Sequence, residues 1–234
     1  MLTFPGGKTK CLTFSYDDGI FQDMRLVQLF NLHGIKGTFN LNSGKMSRVD
    51  VWQNQDVQVR HMEPEHLKEL YLGQEVAVHT VHHKHLYALS DEELSAELAQ
   101  DKIALENLFG YPIYGMAYPF GDCDERIEAA VAKEGLYYGR CVQTTGTFAL
   151  PENPLAWKGT AHHNDPKLMD YAEQFLSDGD ELRLFYIWGH SYEFDVNRNW
   201  NVIEDLCAKL GGRDDVWYAT NGEVVRWMKQ NKLC

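Results

Sequence analysis

Apolar positions along this chain fall into two alternating rhythms: short, nearly continuous runs, then longer stretches in which apolar residues return every three or four positions. CLTFSY (11–16) reads as a strand. After it, Phe21, Met24, Val27 and Phe30 recur at three-residue spacing, predicting a helix that Gly34 is placed to stop. GTFNLN (37–42) and EVAVHT (75–80) are the next strands, with a short helix over 64–72, opened by Pro64, between them. The clearest helix starts at Ser90. Ser90 and Glu93 form a capping box, Leu89 and Leu94 take the hydrophobic-staple positions, and Leu94, Leu98, Leu105 and Leu108 continue one face. PIYGMAYP (112–119), LYYGRCV (136–142), LRLFYIWG (182–189) and VWYAT (216–220) supply four more strands. Helices are expected over 124–134, near 167–177, over 200–210 and through Val225 and Trp227. The segments 43–62 and 143–166 are expected as long lid or binding loops.

Strands alternating with helices predict a parallel sheet, because parallel neighbours need a crossover, and strands apolar on both faces predict one covered on both sides. No Gly-rich phosphate fingerprint follows a strand, so a barrel of about seven or eight strands is expected rather than an open nucleotide-binding sheet. At 234 residues the whole of 1–234 fits a single domain. No run of about 18 apolar residues occurs, so no membrane span is expected. Lys+Arg 22 against Asp+Glu 34 leaves a net charge of −12, which repels phosphate backbones and anionic lipid and removes nucleic acid and membrane as expected partners. The five cysteines are odd in number and form no C-x-x-C pair, so neither a disulfide framework nor a zinc finger is expected. MLTFPGGKTK at the start holds no apolar run long enough for a leader, and with the cysteines this predicts a cytoplasmic setting. The sequence says nothing of oligomeric state.

The polar residues that interrupt this pattern fall at strand ends. Asp17-Asp18-Gly19 ends the first strand, His79 the third, Pro119-Phe120-Gly121 the fourth and Gly189-His190 the sixth, while Arg140 sits near the end of the fifth. The C-terminal rim of the strands is where parallel barrels build their sites. His79 and His83 stand four apart in HTVHH, so a helical turn there projects both imidazoles to one side. One carboxylate from Asp17-Asp18 then completes three metal ligands and leaves a position open for water. His82 and His85 are out of register and expected on the surface, and His33, His61 and His66 carry no pattern. His162, His163 and Asp165 only loosely resemble a second metal cluster.

At these residues the chain resembles the polysaccharide deacetylases, carbohydrate esterase family 4, with their NodB homology domain. TFSYDDG (13–19), HTVHH (79–83), AYPFG (117–121) and IWGH (187–190) match the family's motifs in the family's order, across roughly residues 10 to 220. The resemblance implies an α/β fold, a distorted (β/α)7 barrel, and one divalent metal ion, zinc first, with cobalt, manganese, nickel or iron as alternatives. It implies hydrolysis of N-acetyl (or O-acetyl) groups on an acetylated saccharide by attack of a metal-bound water. Asp18, His79 and His83 would hold the metal, Asp17 would be the general base, the backbone N–H near Phe120 would hold the oxyanion, and His190 would be the general acid. The match departs from the family at Ala117, where many members carry an arginine that orients the base. Arg140, at the end of the next strand, is the candidate to replace it by reaching Asp17 bidentately, against the alternative of a surface arginine. The acidic D-x-x-D-W segment of some members is not apparent; near its place stands Trp157, a sugar-stacking wall or a loop anchor. Two competing functions remain: a small-molecule amidohydrolase on the same scaffold, and a catalytically silent carbohydrate-binding protein.

Overall fold

β1 (Lys10–Asp17) is buried along its whole length, as a strand covered on both faces must be. The structure, a computed structural model, describes residues 2–46 and 51–234. β1 is followed by α1 (Asp23–Leu32), β2 (Thr38–Leu41), an antiparallel hairpin of β3 (Val51–Asn54) and β4 (Val57–Arg60), α2 (Pro64–Leu70) and β5 (Glu75–Val78). Then come α3 (Asp91–Phe109), β6 (Gly115–Ala117), α4 (Glu125–Lys133), β7 (Tyr138–Thr144), β8 (Trp157–Gly159) and β9 (Ala161–His162). The chain ends with α5 (Leu168–Leu176), β10 (Arg183–Gly189), α6 (Glu193–Val196), α7 (Trp200–Leu210), β11 (Val216–Tyr218) and α8 (Asn221–Gln230).

The main sheet is parallel throughout and runs β8-β7-β6-β5-β2-β1-β10-β9, with β11 also paired to β1. Its two outer members, β8 and β9, are consecutive in the chain and separated by Thr160 alone. The sheet therefore curls until its two edges meet through one residue, with Thr160 N–H donating to the carbonyl of Tyr186 on β10 at 2.7 Å and Thr160 carbonyl accepting from Gly146 at 3.0 Å. Counted that way, seven strand positions ring the axis. β11 lies beside the start of β1 at Lys10–Leu12, while β2 takes the same edge further on at Ser15–Asp17. The α/β fold of a distorted (β/α)7 barrel is thus the observed architecture, and the closing strand comes from 157–162, inside the segment expected as a loop.

Helices cover the outside. α3 carries the expected capping box: Ser90 Oγ accepts from Glu93 N–H at 3.2 Å, and Glu93 accepts from Ser90 N–H at 2.9 Å. Leu94, Leu98 and Leu105 bury the face that the spacing marked out. α8 has a second box of the same kind, Thr220 with Glu223. The larger core cluster joins the sheet to these helices, and a second one gathers Phe4, Tyr138, Trp157, Tyr186 and Trp227 near α8. Two differences from the sequence pattern bear on the site. The segment expected as a loop over 43–62 carries the β3–β4 hairpin; its residues 47–50 lie outside the described residues. The fourth strand is only Gly115–Ala117, because the chain turns away at Pro119. The cysteines are free, with Cys11, Cys141 and Cys207 buried, and no helix among the described residues is long and apolar enough to cross a membrane.

Candidate active site

Asp17 is the last residue of β1, and the next two, Asp18 (φ 81°) and Gly19 (φ 64°), are both left-handed. That sharp turn leaves Asp17 pointing into the barrel, 3% exposed, while the Asp18 carboxylate lies at the rim. Asn40 on β2 donates through Nδ2 to Asp17 Oδ1 at 2.8 Å. Arg140 Nη2 donates to Asp17 Oδ2 from across the barrel. Arg140 is wholly buried, its guanidinium 4.4 Å from the centroid of the Trp188 ring. The contact is single, not the fork expected: Nε and Nη1 have no hydrogen-bond partner among the described residues. Burial alone would push the Asp17 carboxyl up, but the charges of Arg140, His79 and His190 outweigh it and hold it well below the usual carboxylate range.

His79 and His83 meet, although not by the helical turn expected. The chain after β5 folds into a tight turn with left-handed residues at Thr80 (φ 67°) and His83 (φ 54°). Asn42 Nδ2 donates to the carbonyls of His79 and Thr80, Asp101 Oδ2 accepts from His79 N–H at 3.1 Å, and Thr80 Oγ1 accepts from His83 N–H at 3.1 Å. The Ala117 carbonyl, 2.8 Å from His79 Nδ1, can only accept, so Nδ1 carries the hydrogen and Nε2 is left facing the carboxylates. His79 Nε2 lies 3.7 Å from Asp18 Oδ1 and 3.9 Å from Asp17 Oδ2; His83 Nε2 lies 3.8 Å from Asp18 Oδ1. Burial, and then His79, push His83 down to about 4, so it is a neutral donor at pH 7. Two imidazole nitrogens and one carboxylate oxygen, all within 4.8 Å of one another, fit a divalent ion with open positions, and the Ala117 carbonyl behind His79 is the outer support such ligands need.

His190 follows Gly189 at the end of β10, its Nε2 3.7 Å from Asp17 Oδ2 and its Nδ1 3.1 Å from Glu193 Oε1. Burial would lower it, but the hydrogen bond to Glu193 and the carboxylates of Asp18, Asp17 and Glu193 lift it to about 9. Glu193 Oε2 faces His163 Nε2 at 2.9 Å and His162 Nε2 at 3.3 Å, and accepts from Asn164 Nδ2 at 2.9 Å. His163 is fully buried, stacked on Tyr16 and Phe194, and a Cβ on Gly189 would lie 2.1 Å from its Nδ1, so the position beside His190 needs glycine. The loose cluster of His162, His163 and Asp165 forms differently. Asp165 turns to accept from Lys167 N–H at 2.8 Å, and Glu193 takes its place beside the histidines. His162, His190 and Glu193 also lie within 4.8 Å, but His162 Nδ1 accepts from Asn164 N–H, so its Nε2 carries a hydrogen toward Glu193. That group is a hydrogen-bonded network. Ser191 Oγ donates to Asp23 Oδ1 at 2.5 Å, which ties the chain beside His190 to α1.

These residues open into a cavity of about 430 Å³ walled by Trp52, His61, Phe120, Trp188 and Tyr192. Phe120 (φ 57°) is half exposed at the mouth, its ring stacked on His85 at 3.8 Å and edge-on to His83 at 4.6 Å. Trp52, on the β3–β4 hairpin, meets Tyr192 edge-on at 5.9 Å. Trp157 is a correction: at 1% exposed it packs against Tyr138 and Tyr186 and offers no face to a sugar, because it belongs to the strand that closes the barrel. His61, given no role by the sequence, is 3% exposed and lines the cavity. Glu193, Asn42, Asp101 and Trp52 were missed as well. Only Glu193 left a trace, standing at helical spacing three residues after His190.

The polysaccharide deacetylase family profile matches residues 5–139. Chitin deacetylase 1 of Cryptococcus neoformans var. grubii is 34% identical over 74 residues, which span 31% of this chain and 16% of that protein. Among solved structures, a Mycobacterium smegmatis protein assigned to the polysaccharide deacetylases superposes with TM-score 0.71 at 16% identity, covering 100% of this chain and 94% of that one. The chitin deacetylase of Colletotrichum lindemuthianum superposes with TM-score 0.60 at 20% identity, covering 92% and 88%.

Proposed function

Since this chain belongs to the polysaccharide deacetylase family, we propose that it removes acetyl groups from a saccharide, using one divalent ion held by Asp18, His79 and His83. Two imidazoles and one carboxylate with open positions are a donor set that catalytic zinc takes. When bound, such an ion supplies Lewis acidity that lowers the pKa of water and polarises the acetyl carbonyl. Asp17, kept ionised by Arg140, accepts the proton that water gives up as its oxygen bonds to the carbonyl carbon. The Phe120 N–H steadies the negative charge that builds on the carbonyl oxygen. As the carbon–nitrogen bond breaks, His190 delivers its Nε2 proton to the departing amine, and acetate is the other product. Glu193 holds the His190 ring through Nδ1, leaving Nε2 toward the reacting centre.

The observation that carries this reading is the orientation of His79, whose Nε2 is turned to Asp18 by the Ala117 carbonyl next to an Asp17 already paired with Arg140. The pairing supports an active enzyme over a silent carbohydrate-binding protein, because Arg140 sets a cation beside Asp17 although Ala117 carries none. The test is metal analysis of the purified protein, paired with acetate release from N- and O-acetylated saccharides. About one divalent ion per chain and metal-dependent release support the proposal; stoichiometric metal without release from any saccharide, but turnover of small amides, would replace it with the amidohydrolase reading.

A further inference from the structure

A second cavity, of about 550 Å³, shares His61 with the catalytic one as a lining residue. Its apolar walls are Phe21 from the turn before α1, Met24 from the first turn of α1, Met62 from the chain leaving β4, and Leu70 from the end of α2. Phe21 and Met24 are 48% and 38% exposed, a costly display of apolar surface unless something covers it. The cavity is built onto the catalytic turn itself. Met62 N–H donates to the Gly19 carbonyl at 2.9 Å, Phe21 N–H donates to the Arg60 carbonyl at 2.9 Å, and Ile20 bridges to His61. Arg60, His61, Glu63, His66 and Glu69 complete the lining; Arg60 lies over the Phe21 ring at 4.9 Å, and Glu69 and His66 are exposed on α2. Its volume is in the range of small-ligand sites, and thioether walls adapt to apolar groups of varied shape.

We propose that this cavity receives an apolar aglycone carried by the acetylated sugar, so that the substrate is an amphiphilic glycoside whose sugar lies in the catalytic cavity and whose apolar group crosses beside His61. The proposal rests on the deacetylase reading for the sugar half and on the shared His61 wall for the apolar half. A second copy of this chain covering Phe21 and Met24 is the competing occupant.

The test uses methyl, butyl and octyl glycosides of the acetylated sugar that best releases acetate, below micelle formation, with kcat/KM measured for each. Burying methylenes is worth roughly fourfold apiece, so the octyl-to-methyl ratio should exceed about tenfold even with partial burial. In Leu70→Lys, and separately in Met24→Lys, that ratio should collapse toward one. Because the readout is a ratio, a general loss of activity does not imitate it. Equal values along the wild-type series, or a ratio that survives in both variants, would overturn the proposal. So would a wild-type dimer in sedimentation that Met24→Lys dissociates without changing the ratio. Calorimetric binding of octyl glycoside needs no turnover: binding that Leu70→Lys abolishes, with no acetate released from any saccharide, keeps the cavity assignment and discards the deacetylase reading.

Discussion

Ala117 and Arg140 are register partners on the adjacent parallel strands β6 and β7, and the Arg140 guanidinium reaches from that level across the barrel to Asp17. Arg140 thus sets a cation beside Asp17 from one strand further round than Ala117, at the same height. A short side chain at Ala117 is compatible with this, since Ala117 is itself fully buried and its carbonyl is engaged by His79.

Replacing Arg140 with Ala should lower kcat by about 10²–10⁴-fold, because the base loses the charge that keeps it ionised. It should also cost about 3–5 kcal/mol of stability, as removing one partner of a buried ion pair does. The sign with pH follows from Asp17, whose folded pKa lies below its unfolded value of about 3.9. Its stabilisation is present above that value and is lost as the pH falls through the folded pKa, so Arg140→Ala should unfold at higher pH in an acid titration followed by circular dichroism. Arg140→Lys, which keeps a charge, should lie between. A silent Arg140→Ala would disprove the pairing's role.

Asp17→Asn and Asp18→Asn should separate two functions of neighbouring residues. Asp17→Asn should keep its divalent ion and lose most turnover; Asp18→Asn, His79→Ala and His83→Ala should lose the ion itself. Metal content by mass spectrometry, beside an acetate assay, distinguishes them, and equal metal loss at both aspartates would contradict the division.

The Glu193→Gln variant should move the alkaline limb of the pH–rate profile. A general acid works only while protonated, so with His190 lifted to about 9 the wild type should stay active well above neutrality. Without the Glu193 charge the fall should begin nearer the ordinary histidine value of about 6.5. The same link affects stability: the His190 contribution is complete below its unfolded pKa and is lost as pH rises through about 9. An unmoved alkaline limb would show that Glu193 only packs.

Two tryptophans should behave oppositely. Trp157→Ala should cost about 3–5 kcal/mol, read as a fall in Tm, with KM little changed, because its ring is core. Trp52→Ala should leave Tm nearly unchanged and raise saccharide KM roughly fivefold, the value of about 1 kcal/mol of ring stacking.

What the sequence determined by itself was local. Continuous apolar runs and three- or four-residue spacings depend on residues a few positions apart, so β1, the capped α3 and the parallel order of strands and helices could be read directly, and with them the strand ends that carry Asp17, Asp18, His79, Arg140 and His190. The tertiary structure decided what depends on distance in space. Arg140 and Asp17 are 123 positions apart, and only barrel closure, made by the short strand at 157–162, brings their strands face to face. That closure buried Trp157, and it placed Glu193 under His162, His163 and His190, contacts without any sequence period. His79 and His83 illustrate both halves: their spacing was visible, but a left-handed turn clamped by Asn42 and Asp101, from two other elements, made them converge where a helix was expected.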